Sequence, residues 1–454
     1  MLFHLGGEKI KMSSVVKSFF EKHNFLMENY DTGKVAEALM RDMEKGLQSE
    51  KSPNNPKSSS QDMIPTWMTK PESAIKNESV IVIDAGGTNF RSSLVSFDEN
   101  GKPSISDFEK TSMPGIEREL SKKEFFEQIA KNLEHLKNKS DRIAFCFSYA
   151  MRITSDGDGE VLNFAKEIKA SEVIGSLVGK ELCAVLESHG WNKIKRVVLL
   201  NDTVAALLAA TPESRTGKNY GSYVGFILGT GMNSAYIERN DRITKLANKT
   251  SSSQIVVCES GKFDDIVQSD FDKELDKNST CPGMYILEKQ CSGAYLGPIC
   301  FYALKMAAKD GLFDSDEKFK NKILSLSKLE LIEIGKFLQN PLALDTIFSD
   351  VKDIGTKEIV FEICDTFIER SARLSAGILS AAVLKGDVEK MKGNRMCPVC
   401  ISCDGTTFFK TYKLKDRIEA FLYQYLTQKK GISFETVAVE NPITIGTAMA
   451  AFGV

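Results

Sequence analysis

The chain has 454 residues, 42% of them apolar and 26% charged, and carries 59 Lys and Arg against 61 Asp and Glu. So even a charge balance leaves no basic footprint for nucleic acid or an anionic membrane, and this length exceeds what one hydrophobic core usually supports, so two domains around a cleft are expected. No stretch reaches the roughly 18 apolar residues of a membrane span, and the start lacks a basic region followed by a long apolar core, so the expected location is cytoplasmic, with neither nucleic acid nor membrane as partner.

Residues 12–48 carry apolar side chains at helical spacing, Val15, Val16, Phe19 and Phe20 and then Val35, Leu39, Met43 and Leu47, which predicts two amphipathic helices. The tract Ser49–Asp62 has two prolines and no apolar residue and reads as a surface loop or linker without chemistry. From Glu78 the pattern turns to strands: Val80–Ile83, the turn Asp84–Asn89, then Phe90–Phe97. A helix over Lys122–Leu136, a strand over Ile143–Phe147, a polar loop over Thr154–Glu160 and a helix around Val173–Ser188 follow. The next strand, Val197–Leu200, ends in Asn201-Asp202-Thr203.

After a helix over Val204–Ala210, Tyr223–Leu228 runs into Gly229-Thr230-Gly231, and Ser234–Ile237 resumes as a strand. Strand, glycine turn, strand thus recurs about 145 positions on, which suggests two related halves facing one cleft in an α/β architecture. Cys300–Ala382 is mainly helical, broken near Asn340-Pro341. Val399–Cys403 returns to strand before Asp404-Gly405-Thr406. A helix over Leu414–Leu426, a last strand at Val437–Val439 and a terminal helix over Pro442–Phe452 complete the chain.

The 10 cysteines are mostly single and set in apolar runs, as expected of reduced core residues. Cys397, Cys400 and Cys403 have a metal-like spacing but no fourth Cys or His nearby, and they fit a buried strand better than a zinc site.

Asp202, at the end of a buried strand, either helps to start the next helix as its cap or faces the cleft as a base. Glycines in the two turns let backbone N–H groups approach an anion such as phosphate, although each turn alone fits a tight hairpin equally well. Neither turn is a Walker loop, for GxxxxGK[ST] is absent, nor a dinucleotide fingerprint, because a strand follows where a helix is needed. Asp84 could hold Mg²⁺ through water while Asp202 contacts a substrate hydroxyl, the division of labour that phosphoryl transfer requires.

Asp84-Ala-Gly-Gly-Thr-Asn-Phe-Arg91, Phe145-Cys-Phe-Ser148, Leu200-Asn-Asp-Thr-Val204, Gly229-Thr-Gly-Met-Asn233, Cys258-Glu-Ser-Gly261 and Pro282–Lys289 occur in the order and rough spacing of the hexokinase family. The chain resembles a single-unit hexokinase of the eukaryotic type. The resemblance implies an actin-like ATPase fold: two RNase H-like domains, with residues 78–201 plus 441–454 as the small lobe, 12–77 plus 202–440 as the large lobe, and 1–11 as a terminal segment. It also implies transfer of the γ-phosphoryl of MgATP to the 6-hydroxyl of a hexose, glucose first and mannose or fructose next.

In that resemblance Asp202 matches the general base, and Ser148, Lys166, Asn201, Asn233, Glu259 and Glu288 match the positions that hold the sugar. Asp84, Gly86, Gly87, Thr88, Asn89 and Arg91 match the first phosphate segment, Gly229, Thr230 and Gly231 the second, and Gly405 and Thr406 the segment near adenosine. Arg91 also fits an ordinary strand-edge charge, and Asp404-Gly405-Thr406 an ordinary turn. The chain departs from the family pattern at Ala165, which stands before Lys166 in place of Thr, at Tyr149-Ala150 after Ser148, and in the reduced glycine run ending at Gly446. The rival readings are a silent hexokinase-like sugar sensor or scaffold and, more remotely, an actin-like or chaperone-type ATPase. The first is disfavoured by the presence of Asp202 and both turns, the second by Glu259 and Glu288.

Overall fold

The computed structural model describes residues 12–50, 58–164, 168–211, 220–247 and 251–453. Its strands are β1 (Ile64–Pro65), β2 (Glu78–Gly86), β3 (Asn89–Phe97), β4 (Pro103–Ser112), β5 (Arg142–Phe147), β6 (Ala150–Ile153), β7 (Gly159–Asn163), β8 (Arg196–Leu200), β9 (Ser222–Leu228), β10 (Met232–Arg239), β11 (Ser253–Val257), β12 (Val399–Asp404) and β13 (Phe434–Val437). One sheet runs β4-β3-β2-β5-β8 and the other β1-β11-β10-β9-β12-β13. In the first, β2 is antiparallel to β3 and parallel to β5, and β5 is parallel to β8. The second repeats this: β9 is antiparallel to β10 and parallel to β12, and β12 is parallel to β13. The recurrence read from two glycine turns is therefore a recurrence of a whole five-strand order, with β1 added at one edge.

The central strands are buried on both faces, which is why they read as unbroken apolar runs. Ile81, Ile83, Phe145, Phe147, Val197 and Leu199 point into the core of the first lobe, under the helices Lys122–Asn132 and Val178–Ser188. Their neighbours Val80, Val82, Ala144, Cys146, Val198 and Leu200 face the other way, into a second core shared with Tyr223, Ala235, Ile255 and Cys400 of the opposite sheet. Two helices fill that shared layer, Asp202–Ala209 and Pro442–Ala450. They approach so closely that a Cβ on Gly446 would lie 1.8 Å from the Ala205 carbonyl oxygen, and one on Gly225 would lie 2.2 Å from that of Thr203. The helix that begins at Asp202 is thus clamped between the sheets by positions that admit only glycine. The second lobe is built on the helix Ile354–Lys385, buried along most of its length.

Three expectations need correction. Asn201 caps the helix, its side chain accepting from the Thr203 N–H at 2.9 Å, and Asp202 is the first helical residue. The last strand lies at Phe434–Val437, before Val437–Val439, because pairing with β12 sets its register from Val399 opposite Phe434. The described end of the tract Ser49–Asp62 is not a surface loop: Ser59, Ser60 and Gln61 are buried. Asp42 binds the last two, accepting from the backbone N–H of Ser60 and of Gln61 at 2.9 Å each, and the Ser59 hydroxyl donates to the Gln61 carbonyl at 2.7 Å. A polar tract is buried here because one carboxylate satisfies it. Cys400 and Cys403 do lie buried in β12. No helix among the described residues is long and apolar enough to cross a membrane.

Candidate active site

The carboxyl-terminal ends of the parallel strands β2, β5, β8 and β12 deliver Asp84, Ser148, Asn201-Asp202 and Asp404 towards the cleft, where open α/β sheets ordinarily bind ligands. Asp202 is open to the cleft yet deep within the protein, between the two sheets. Burial pushes its carboxyl up to about 7, with Glu259 adding to the rise and Asp84 and Asp404 contributing less, while the Thr203 N–H opposes them. A helix terminus by itself would lower it, but desolvation and like charge outweigh the favourable dipole and hydrogen bond. A carboxylate poised near neutrality is a competent general base.

One pocket, of about 250 Å³, collects Ser148, Asn201 and Glu259 together with Asp62, Lys262 and Tyr285. Glu259 accepts from Asn233 Nδ2 at 2.7 Å, and Glu288 accepts from the Met232 N–H at 2.9 Å. Burial raises the pKa of both carboxyls. The Asn233 Oδ1 accepts from the Ser234 N–H at 2.8 Å, which fixes the amide with its donor towards Glu259. Because the Asn201 Oδ1 is committed to Thr203, the Nδ2 group is what Asn201 offers the pocket. Glu259 and Tyr285 both have left-handed backbones, at φ 57° and 55°. Non-glycine residues held there cost about 1 kcal/mol or more, a strain that gathers at functional sites. Lys166 lies outside the described residues.

Asp84, in the first glycine turn, and Asp404, next to Gly405, both act on the Asp202 carboxyl. In the first turn, Gly87 has φ 57°, its carbonyl accepts from the Tyr149 hydroxyl at 2.8 Å, and Arg91 pairs with Asp84 at 2.7 Å across the β2–β3 register. Gly86 packs against Ser148, with room of only 3.2 Å for a Cβ, while Thr88 holds the Met113 N–H and Asn89 starts β3. In the second turn the Gly229 N–H donates to Gly231 at 3.0 Å. The Gly229 carbonyl accepts from the Gly293 N–H and the Thr407 hydroxyl, both at 2.8 Å, and Thr230 accepts from the Ala294 N–H at 3.1 Å. Gly405, at φ 112°, has its back to the Leu228 carbonyl, where a Cβ would come within 2.3 Å. A cleft of about 710 Å³ opens beside this turn, lined by Thr230, Gly293, Thr406, Thr407, Lys410 and Lys413. The structure therefore combines a small pocket lined by Ser148, Asn201 and Glu259, a buried carboxylate at Asp202, and two backbone turns, the second of which borders a larger cleft.

Sequence models of the hexokinase family match residues 19–211 and 223–453, the second covering more than half of the chain. The chain belongs to the hexokinase family. It is 28% identical to Hexokinase-1 of Schizosaccharomyces pombe over 409 residues, 85% of this chain and 81% of that one. It is 27% identical to Glucokinase-1 of Kluyveromyces lactis over 445 residues, 87% of this chain and 89% of that one. The solved hexokinase of Schistosoma mansoni, complexed with glucose, superposes with a TM-score of 0.75 at 22% identity, covering 96% of this chain and 99% of that one. That likeness establishes the fold, two lobes of the actin-like ATPase type.

For a hexokinase-family chain, the pocket holds residues that motif reasoning passed over. Lys262 ion-pairs with Asp62 and lies 3.6 Å from Glu259. Asp62 ended a tract dismissed as linker. The signal was available: Asp62 immediately precedes the apolar Met63-Ile64 stretch, where a strand carries it into the fold. Tyr285 lies within the Pro282–Lys289 stretch but carries no charge to mark it in the sequence.

Proposed function

We propose that this chain is an ATP-dependent hexose 6-kinase, acting on glucose and secondarily on mannose or fructose. The carrying observation is Asp202, a carboxyl raised to about 7 by burial and by Glu259, directly after Asn201, which lines the same small pocket as Glu259. In this reading Ser148, Lys166, Asn201, Asn233, Glu259 and Glu288 bind the ring of sugar hydroxyls, for which amides, an ammonium and carboxylates supply directional donors and acceptors. Asp202 orients the 6-hydroxyl and accepts its proton as the oxygen attacks the γ-phosphorus.

The nucleotide then lies along the turns. Gly86, Gly87, Thr88, Asn89 and Arg91 face its phosphates from one lobe and Gly229, Thr230 and Gly231 from the other, while Gly405 and Thr406 border the adenosine in the larger cleft. Asp84 would suit Mg²⁺ held through water: it is a carboxylate, whose oxygens are what this hard cation takes, and it is kept in place by Arg91. When bound, Mg²⁺ would neutralise charge building on the transferred phosphoryl group. Residues 78–201 plus 441–454 are assigned to one lobe and 12–77 plus 202–440 to the other. Their closure over the sugar would exclude the water that competes as acceptor.

The decisive experiment measures ADP release from MgATP across a panel of hexoses. Release stimulated by glucose well above the sugar-free rate is expected. No stimulation by any hexose would leave the silent sugar-binding reading in its place.

A further inference from the structure

We propose that Lys262 is a positioning residue for hexose recognition, bridging Glu259 to Asp62 so that Glu259 is held as an ionised acceptor and the segment ending at Asp62 is drawn against the pocket. This role rests on the reading of that pocket as the hexose site.

The geometry is that of a bridge. Lys262 Nζ donates to Asp62 Oδ2 at 2.5 Å, lies 3.6 Å from Glu259 Oε2 and 6.0 Å from the centre of the Tyr285 ring. All three charged side chains are about one quarter exposed, so water screens them incompletely. Asp62 is itself built into place: its carbonyl accepts from Lys245 Nζ at 3.0 Å, and the residues before it are held by Asp42. Glu259 Oε1 is occupied by Asn233, so Lys262 and an incoming hydroxyl share the remaining oxygen.

The charges around Glu259 give Lys262 its purpose. Asp62 faces it from the preceding segment, Glu288 and the Tyr285 phenol from the region of the helix Ile286–Cys291, and Asp202 from the helix between the sheets, with Asp84 and Asp404 beyond Asp202. Lys245 lies against Asp62 and Lys289 acts on Glu288, but the cation that acts on Glu259 itself is Lys262. Burial raises the Glu259 carboxyl, and Lys262 is the largest influence pulling it back. Burial also opposes the charge on Lys262, but Glu259 and Asp62 more than offset it and hold the ammonium above its ordinary value. Remove the ammonium and Glu259 takes up a proton at a higher pH, exchanging an acceptor for a donor where a hydroxyl must be bound.

The test is glucose binding by titration calorimetry on the full chain from pH 5.5 to 9, in an Asp202→Asn background so that this second carboxyl does not titrate. Lys262→Met should weaken binding tenfold or more at the acid end of that range and much less at the alkaline end, moving the acid limb upward, and Lys262→Arg should restore the limb. Asp62→Asn removes a like charge from Glu259 and should move the limb downward, an opposite sign that also serves if Lys262→Met does not fold. In the Asp202-containing enzyme, Lys262→Met should raise the glucose KM while changing kcat less than threefold. Weakening equal at every pH without rescue by Arg, or an unmoved limb in both variants, would overturn the role. A wild-type chain that phosphorylates no hexose would overturn the kinase reading itself, and this role with it.

Discussion

The two lobes share one strand order, yet their glycine turns are made differently. The first turn carries its chemistry on side chains: Asp84 and Arg91 face each other across β2 and β3, and the Tyr149 hydroxyl steadies Gly87. The second carries almost none. Gly229 and Thr230 are held through their carbonyls by Gly293, Ala294 and Thr407, and Gly405 closes against Leu228. A duplicated scaffold has thus been divided between charge on one side and backbone shape on the other, with Asp202 on the helix clamped between them. Substitutions that alter charge should therefore break the first turn, and substitutions that add volume the second.

The largest effect is expected at the junction. Asp202→Asn should lower kcat by about 10²-fold or more, the range general-base removal produces, while glucose still binds. Wild-type kcat/KM for glucose should fall as pH drops through about 7, because the base must be ionised and burial has raised its carboxyl to that value. The residual rate of the Asn variant should lack that limb. A wild-type profile flat from pH 6 to 8 would remove Asp202 from the role of base.

The next effects separate the turns. Gly405→Ala places a Cβ 2.3 Å from a backbone oxygen, which no side-chain rotation relieves, and should raise the KM for ATP about tenfold, about 1.4 kcal/mol, with glucose binding unchanged. Gly87→Ala meets nothing within 4 Å and strains only the backbone at φ 57°, so about 1 kcal/mol of stability should be lost, read as a lower Tm. Equal effects of the two on ATP would erase the distinction between the turns.

What the sequence disclosed and what it hid follow the same division. Strands buried on both faces, such as Val80–Ile83 and Val197–Leu200, were legible because burial leaves unbroken apolar runs, and the glycine turns because backbone shape demands that residue. The pairing of Lys262 with Asp62 spans 200 positions of chain, and no local pattern encodes it. The elevated Asp202 carboxyl is hidden for a related reason: the helix start is visible locally, while the desolvation and the Glu259 charge that outweigh it come from the fold. The burial of Ser59–Gln61 was equally hidden, since it depends on Asp42 in another element.

The smallest effect tests the backbone turn most finely. The Thr407 hydroxyl donates to the Gly229 carbonyl, which also accepts from the Gly293 N–H. Thr407→Val keeps the shape and removes one donor, leaving the carbonyl its second partner, so no buried acceptor is orphaned. The expected loss is that of one ordinary hydrogen bond, about 1 kcal/mol, or about fivefold in the KM for ATP with kcat and glucose binding unaltered. Thr407→Ser keeps the donor and should behave as wild type. If Val and Ser behaved alike, the hydroxyl would be incidental, and the second turn would be held by the helix start at Gly293 alone.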